Sequence, residues 1–258
     1  MTVDELAPAS GLRRAAAQLA LAVSFLTVVP VRLRGRSAVD LGGAAVWFPV
    51  VGALIGALAG GVRAGAEPLF GATAATVLAM AALVLVTGAL HQDGLADTAD
   101  GLGVRGDPER RLAVMRDSAT GAFGVLALVG WALLLLAALA PLSDSEALAA
   151  LVTAGALSRW AALLHAAATS PARPEGLGAG FRVGRVALLI ASACAVLVAG
   201  VAAGIGPGLA ALGVTLAIAL LSAWAARRAI GGRTGDTIGA TVAVVEVAVC
   251  TALLGFWR

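Results

Sequence analysis

The sequence predicts an all-α, polytopic membrane protein: a bundle of about seven transmembrane helices preceded by a short N-terminal helix that is interfacial or re-entrant. Three observations carry this expectation. Of the 258 residues 60% are hydrophobic and 13% are charged, against about 25% charged in a soluble domain. Seven apolar stretches, near 44–62, 72–90, 122–141, 147–168, 186–204, 208–226 and 238–256, each reach the roughly 17 to 25 residues that cross a bilayer as a helix. Finally, 33 glycines among abundant alanine suit helices that approach closely in lipid.

The spans follow in order. An eighth stretch, about 15–29, is short and begins beside Arg13 and Arg14. All 18 basic residues are arginine, and they orient the chain. The loops at 31–43, 91–121, 169–185 and 227–237 hold three, four, three and three of them, whereas the alternate loops at 63–71, 142–146 and 205–207 hold only Arg63. By the positive-inside rule the arginine-rich set is cytoplasmic. Seven crossings also keep Arg13 and Arg14 inside; eight would put them outside, so seven spans plus a half-helix is expected. Trp47 and Trp224 then fall near the inner boundary and Trp257 near the outer one, as interfacial aromatics do. No cleavable leader is expected, because the N-terminus opens with Asp4 and Glu5 and its apolar run ends at Pro30. With no internal repeat or linker, residues 1–258 read as one helical membrane domain.

Cys194 and Cys250 lie inside apolar stretches, without CxxC spacing, and read as packing residues. The pI near 10 does not indicate nucleic acid, since the arginines are scattered over short loops. Lipid head groups and phosphorylated substrates are the expected anionic partners.

Against this apolar background His91-Gln-Asp-Gly-Leu-Ala-Asp-Thr-Ala-Asp-Gly-Leu102 places three carboxylates within eight residues. As a helix, Asp93, Asp97 and Asp100 sit at i, i+4 and i+7, within roughly 60° of one another on a stripe about 10 Å long. Three like charges at a membrane boundary repel and are costly to desolvate; a divalent cation is the simplest remedy. Oxygen-only ligands favour Mg²⁺, or Mn²⁺, over zinc, and His91 and His165 offer no zinc spacing. The following stretch, Arg105 to Gly121, predicts a short helix capped by Asp107 with Pro108 at its first position. That helix returns Arg116 and Asp117 to the membrane surface, while Asp107, Glu109, Arg110 and Arg111 read as a solvated face.

A second motif, Gly231-Gly-Arg-Thr-Gly-Asp-Thr237, leads into the last span. Gly-rich backbone entering a helix N-terminus offers free N–H groups at Thr234 and Gly235, which suits phosphate. Arg233 adds a bidentate phosphate contact, and Asp236 either caps the helix or ligates metal. A third cluster, Ser170 to Arg185, supplies Arg173, Glu175 and Arg182 for an anionic ligand. Arg159 lies inside a span and needs a carboxylate, a phosphate or water; pairing with Glu246 or an aspartate is the structural alternative to substrate binding. A hard cation beside a phosphate cradle points to transfer of a phosphoryl-type group.

These motifs resemble a known family. His91-x-Asp-Gly-Leu-Ala-Asp-Thr-Ala-Asp-Gly101, Met115-Arg-Asp-Ser118 with Gly121, Ala172-Arg-Pro-Glu-Gly-Leu-Gly178 and Gly231-Gly-x-Thr-Gly-Asp236 resemble cobalamin synthase, as do Phe25 to Pro30 and Phe48 to Gly56. The resemblance runs in order over nearly the whole chain. It implies an adenosylcobinamide-GDP ribazoletransferase of the bacterial inner membrane, dependent on Mg²⁺. Such an enzyme joins adenosylcobinamide-GDP to α-ribazole or its 5′-phosphate and releases GMP. On that reading Asp93, Asp97 and Asp100 hold metal, with Asp117 or Asp236 completing the shell and one aspartate acting as general base. Arg116, Arg173 and Arg233 contact phosphate, with Arg159, Thr234 and Gly235 also facing substrate. An assembly of identical chains is left open. Two alternatives compete with this reading. A CDP-alcohol phosphotransferase uses a comparable aspartate helix, but no Ala-Arg follows Asp93-Gly94 at the usual distance. An ion-coupled transporter places its carboxylates near the midplane rather than beside a Gly-Arg loop.

Overall fold

The computed structural model describes residues 11–31 and 41–258. The arginines expected at 32, 34 and 36 lie outside the described residues. Eleven helices follow in order: α1 (Gly11–Leu26), α2 (Leu41–Ala44), α3 (Phe48–Thr87), α4 (Leu90–Gly103), α5 (Pro108–Val114), α6 (Ala122–Leu139), α7 (Asp144–Ala168), α8 (Leu177–Gly180), α9 (Arg185–Ala203), α10 (Ile205–Ile230) and α11 (Gly235–Trp257). A 3₁₀ turn, Ala45–Trp47, joins α2 to α3. No strand occurs among the described residues; one isolated parallel bridge pairs Pro171 with Arg233.

Six helical segments are long and apolar enough to cross a membrane, and the first of them reverses. Gly71 breaks α3 with φ 76° and ψ 164°, three residues after Pro68. Arg63 Nε donates to Thr76 Oγ1 at 3.2 Å, although thirteen residues of straight helix would separate the two by about 20 Å. The chain therefore folds back at Gly71, and the two limbs of α3 stand where two of the seven expected spans were placed. The expected loop at 63–71 is corrected: helix continues to the break, and Arg63 is fully buried. Its guanidinium holds Glu67 at 2.9 Å, Asp144, and the Leu142 carbonyl at 2.7 Å. A buried cation needs such partners on every face. Arg63 thus ties the α3 hairpin to the start of α7. Among the described residues α1 spans 16, and beyond it Val28 N–H returns to the Val86 carbonyl at 2.8 Å.

The central element is α7, with 78% of its most apolar window buried inside the protein; the corresponding figure for α9 is 17%. Polar groups on α7 therefore meet protein, whereas α6, α9 and α10 turn leucines such as Leu126, Leu197 and Leu221 outward, as lipid requires. Gly52, Gly56 and Gly60 set the α3–α7 crossing. A Cβ on Gly52 would lie 2.1 Å from the Gly155 carbonyl oxygen, and one on Gly56 2.0 Å from that of Leu151. Backbones meet there with no room for a side chain, the small-residue packing expected in lipid.

Candidate functional site

Chemistry-bearing residues gather at one end of the bundle, where α4, the α7–α9 connection and the N-terminus of α11 converge. Gly88 and Ala89 turn the chain from α3 into α4, both in the left-handed region at φ 60° and 59°. For alanine that conformation costs about 1–2 kcal/mol, so the elbow is held by its surroundings; Ala89 N–H donates to the Val84 carbonyl at 2.9 Å. Beyond it α4 presents Asp93, Asp97 and Asp100 as the helical spacing predicts.

The three do not share one environment. Asp93 is exposed and Asp97 half-buried. Burial pushes the Asp97 carboxyl up to about 6, and the charges of Asp93, Asp236 and Asp100 add to it in that order. Asp100 is buried, and both its oxygens accept backbone N–H groups at the start of α6: Oδ2 from Gly121 at 2.7 Å and Oδ1 from Gly124 at 2.9 Å. A Cβ on Gly121 or Gly124 would lie 2.5 or 2.4 Å from those oxygens. The carboxylate thus satisfies orphan donors and the positive end of α6. Asp117 stays apart: it is exposed, its Oδ1 accepts from Ala119 N–H at 3.0 Å, and it is not among the charges acting on Asp97.

What brings Asp236 to Asp97 is a glycine contact. A Cβ on Gly94 would lie 2.8 Å from the Asp236 carbonyl oxygen and 3.2 Å from Gly239 Cα, so α4 and α11 touch backbone to backbone. Asp236 is not the cap of α11. Thr234 takes that role, its side chain accepting from Thr237 N–H at 3.2 Å while Thr237 Oγ1 accepts from Thr234 N–H at 3.0 Å. The Asp236 carboxylate is therefore released from capping and faces Arg173, Nη2 to Oδ2 3.6 Å.

The arginines divide as well. Arg173 keeps Nε and Nη2 without hydrogen-bond partners, and it lines a cleft of ≈ 160 Å³ with Gly178, Thr234, Gly235 and Asp236. Burial, then the nearby Arg116 guanidinium, lower the Arg173 pKa, and Asp236 opposes them. Arg116 is exposed. Two cations thus flank the carboxylates beside a helix N-terminus, an arrangement that attracts a phosphate.

The phosphate contact expected of Arg233 is corrected. Its side chain is buried, and Nε and both terminal nitrogens donate to the carbonyls of Gly178 at 3.0 Å, Ala166 at 3.2 Å, Phe181 at 2.8 Å and Thr169. A guanidinium has five N–H donors, so no bidentate fork remains for a ligand. Arg233 instead shapes the 169–181 loop, with its N–H donating to the Ser170 carbonyl at 2.8 Å and its carbonyl accepting from Ala172 N–H at 2.9 Å. Arg159, 1% exposed, pairs with Glu246 and donates to Ser158 Oγ at 3.0 Å, the structural alternative foreseen for it. It nevertheless lines a second cavity of ≈ 160 Å³, together with Asp93 and Asp236.

Sequence reading missed that cavity. Its walls include Phe25, Phe48 and Phe181, three of the chain's six phenylalanines, drawn from α1, the start of α3 and the residue after α8. Their scarcity was the available signal. His91 was missed as well; burial and Arg159 lower its pKa well below the usual range and keep it neutral.

Among the described residues no three His, Cys, Asp or Glu side chains form a ready-made metal cage. The crowding that lifts Asp97 is what a bound cation would relieve.

Known proteins resemble this chain over most of its length. The sequence model of the cobalamin-5-phosphate synthase family matches residues 18–254. An adenosylcobinamide-GDP ribazoletransferase from Bradyrhizobium diazoefficiens is 40% identical over 253 residues, covering 95% of this chain and 96% of the relative. One from Desulforamulus reducens is 38% identical over 92% of this chain and 95% of its own length, and one from Escherichia coli 35% over 90% and 97%. No solved structure matches the chain. The acidic, glycine and arginine motifs that meet here all lie within the matched span, and the chain belongs to the cobalamin-5-phosphate synthase family.

Proposed function

We propose that the protein is a Mg²⁺-dependent adenosylcobinamide-GDP ribazoletransferase. It joins adenosylcobinamide-GDP to α-ribazole or its 5′-phosphate at the cytoplasmic face of a bacterial inner membrane and releases GMP. The observation that carries this reading is the meeting of Asp93, Asp97 and Asp236 with Arg173 and the N-terminus of α11. Neither a CDP-alcohol phosphotransferase nor an ion-coupled transporter finds support in the comparisons.

Arg116 and Arg173 hold the diphosphate of the donor, and the Gly235 and Asp236 backbone N–H groups at the start of α11 turn toward its oxygens. One or two of Asp93, Asp97 and Asp236 would hold the cation, while Asp100 fixes α6 against α4 and Asp117 stays exposed outside this group. Mg²⁺, or Mn²⁺, when bound, neutralises the charge that develops on the leaving phosphate. A carboxylate of this group not engaged with the cation takes the proton of the acceptor hydroxyl.

The test is turnover in liposomes, reading GMP from adenosylcobinamide-GDP and α-ribazole with and without Mg²⁺. Asp97→Ala is expected to abolish metal-dependent GMP release. Full turnover in that variant would overturn the assignment of Asp97 to metal. Release of CMP from a CDP-alcohol, with no GMP from the corrinoid, would overturn the substrate.

A further inference from the structure

The cavity lined by Asp93 and Asp236 has a chemistry unlike that of the cleft beside it. Phe48 and Phe181 lie 5.6 Å apart with planes 14° from parallel, and Phe25 stacks at 5.7 Å from Phe48 and 6.5 Å from Phe181. These separations are those of offset-stacked rings. Val242 and Ile238 of α11 complete the apolar lining, with His91 and Arg159 as its polar side chains besides the two aspartates.

The hydrogen bonding of His91 defines what it offers. A guanidinium only donates, so the contact from Arg159 Nη2, 3.4 Å from His91 Nδ1, makes Nδ1 the acceptor and leaves the proton on Nε2. No hydrogen bond involves Nε2 among the described residues. The side chain is 4% exposed and lines the cavity.

We infer that this cavity receives the flat, uncharged aromatic base of the acceptor nucleoside, with His91 Nε2–H donating to a ring nitrogen of that base. The identity of the ligand rests on the function proposed above; the cavity's chemistry does not. Size excludes the corrin ring. An apolar cavity of about 150 Å³ takes a single benzene ring, and this one, ≈ 160 Å³ and open at its mouth, suits one or two fused rings. The mostly apolar wall favours a base with few polar edges over guanine, which carries donors and acceptors on nearly every edge. Asp93 is an exposed lining residue and Asp236 a half-buried one, so a base seated among the phenylalanines would leave its sugar toward these carboxylates, where the acceptor hydroxyl has to be. The placement also gives α1 a role in the site, since α1 supplies Phe25 to the wall.

Two measurements test the proposal on the full chain in detergent. The first is calorimetric binding of benzimidazole against indole, which has the same shape but no acceptor nitrogen. Benzimidazole is expected to bind about tenfold more tightly, a difference of about 1.4 kcal/mol. His91→Phe should shrink that preference to within about twofold, and His91→Gln, which keeps an N–H donor, should retain most of it. Indole binding retained in His91→Phe shows that the cavity is intact. Equal binding of the two rings by the unaltered protein, or an undiminished preference in His91→Phe, would overturn the role of His91. The second is steady-state kinetics of Phe181→Leu, a change that keeps an apolar wall but removes the stacking surface. The KM for the ribazole acceptor should rise about tenfold, with kcat and the KM for the corrinoid donor within about twofold. A rise in donor KM instead would assign the cavity to guanine, and no change in either would remove it from the site. If the unaltered protein transfers nothing from a GDP-activated donor, the functional reading fails, while the benzimidazole preference still decides the cavity.

Discussion

Replacing Gly94 by alanine should disable the site while leaving the fold largely in place. The added Cβ would sit 2.8 Å from the Asp236 carbonyl oxygen, 3.1 Å from Asp236 Cα and 3.2 Å from Gly239 Cα. All three are backbone atoms, so no side chain can swing aside. Ordinary contact begins near 3.4 Å, and α4 and α11 must therefore separate by about 0.6 Å at this crossing. The separation falls between Asp97 on one helix and Asp236 on the other, the carboxylates proposed to share the cation. A misplacement of about 1 Å in a catalytic constellation costs about 10²-fold in rate, so a loss of roughly tenfold or more in kcat is expected. Overpacking of this kind destabilises by about 1–3 kcal/mol, enough to lower a melting temperature without unfolding a seven-span bundle. Gly239→Ala is the control from the same interface. Its Cβ would lie 3.4 Å from the Leu90 carbonyl oxygen and 3.5 Å from Gly94 Cα, ordinary contacts, and activity within about twofold of the unaltered protein is expected. The assay is GMP release in liposomes beside a thermal melt in detergent. Equal activity in the two variants would refute the argument, since it would show that the backbone contact at Gly94 does not set the spacing of the carboxylates.

Two further outcomes follow from the same geometry. Arg233→Lys keeps the charge but loses the planar fork that meets four carbonyls. It should lower the melting temperature by leaving buried carbonyls unpaired, at about 1–3 kcal/mol, and added phosphate should not restore it; restoration by phosphate would return Arg233 to the ligand site. For Asp97 the sign runs one way. Its carboxyl is raised to about 6 in the fold from an ordinary 3.8, so without metal the native state holds its proton over that window, and Asp97 contributes stability below about pH 4 that is lost as pH rises through 6. Metal needs the ionised form, so the Mg²⁺ concentration for half-maximal activity should climb as pH falls below about 6. An Mg²⁺ requirement independent of pH between 5 and 7 would refute that coupling.

The apolar spans and the gathering of the polar motifs at one end of the bundle were legible in the sequence because both follow from long-period signals: apolar length and helical spacing. The reversal at Gly71, the Asp107 cap with Pro108 behind it, and the juxtaposition of the 93–100 and 231–236 motifs answer to those signals. The arginines did not. Inside a membrane protein an arginine beside a glycine-rich turn has two competing sinks, an anionic ligand and the loop's own unpaired carbonyls, and sequence records no difference between them. Arg233 went to the carbonyls and Arg173 did not. Arg63 was misjudged for a related reason: counted as a loop charge, it became the buried centre of a hairpin, because Glu67, Thr76 and Asp144 converge on it from three separate segments. Spacing could not reveal the phenylalanine wall, since its rings come from residues 25, 48 and 181 with no shared period; only their scarcity marked them.

The aspartate stripe shows why a helical face is too coarse a unit for assigning roles. Asp93, Asp97 and Asp100 fall within roughly 60° around the axis of α4, yet the stripe is about 10 Å long, and along that length its neighbour changes. At the level of Gly94 the neighbour is α11, which brings a fourth carboxylate, Asp236. Two turns further on it is the start of α6, which brings the unpaired N–H groups of Gly121 and Gly124. The first environment concentrates negative charge and calls for a cation; the second supplies positive dipole and calls for an anion. Asp100 therefore has its charge answered by protein, while Asp93 and Asp97 do not. A cation held by so few carboxylates would keep coordination positions for the oxygens of a diphosphate, and Arg173, beside Asp236 and within the field of Arg116, would receive them. Axial position along α4, rather than the face alone, separates the aspartate that builds the site from those that face its ligands.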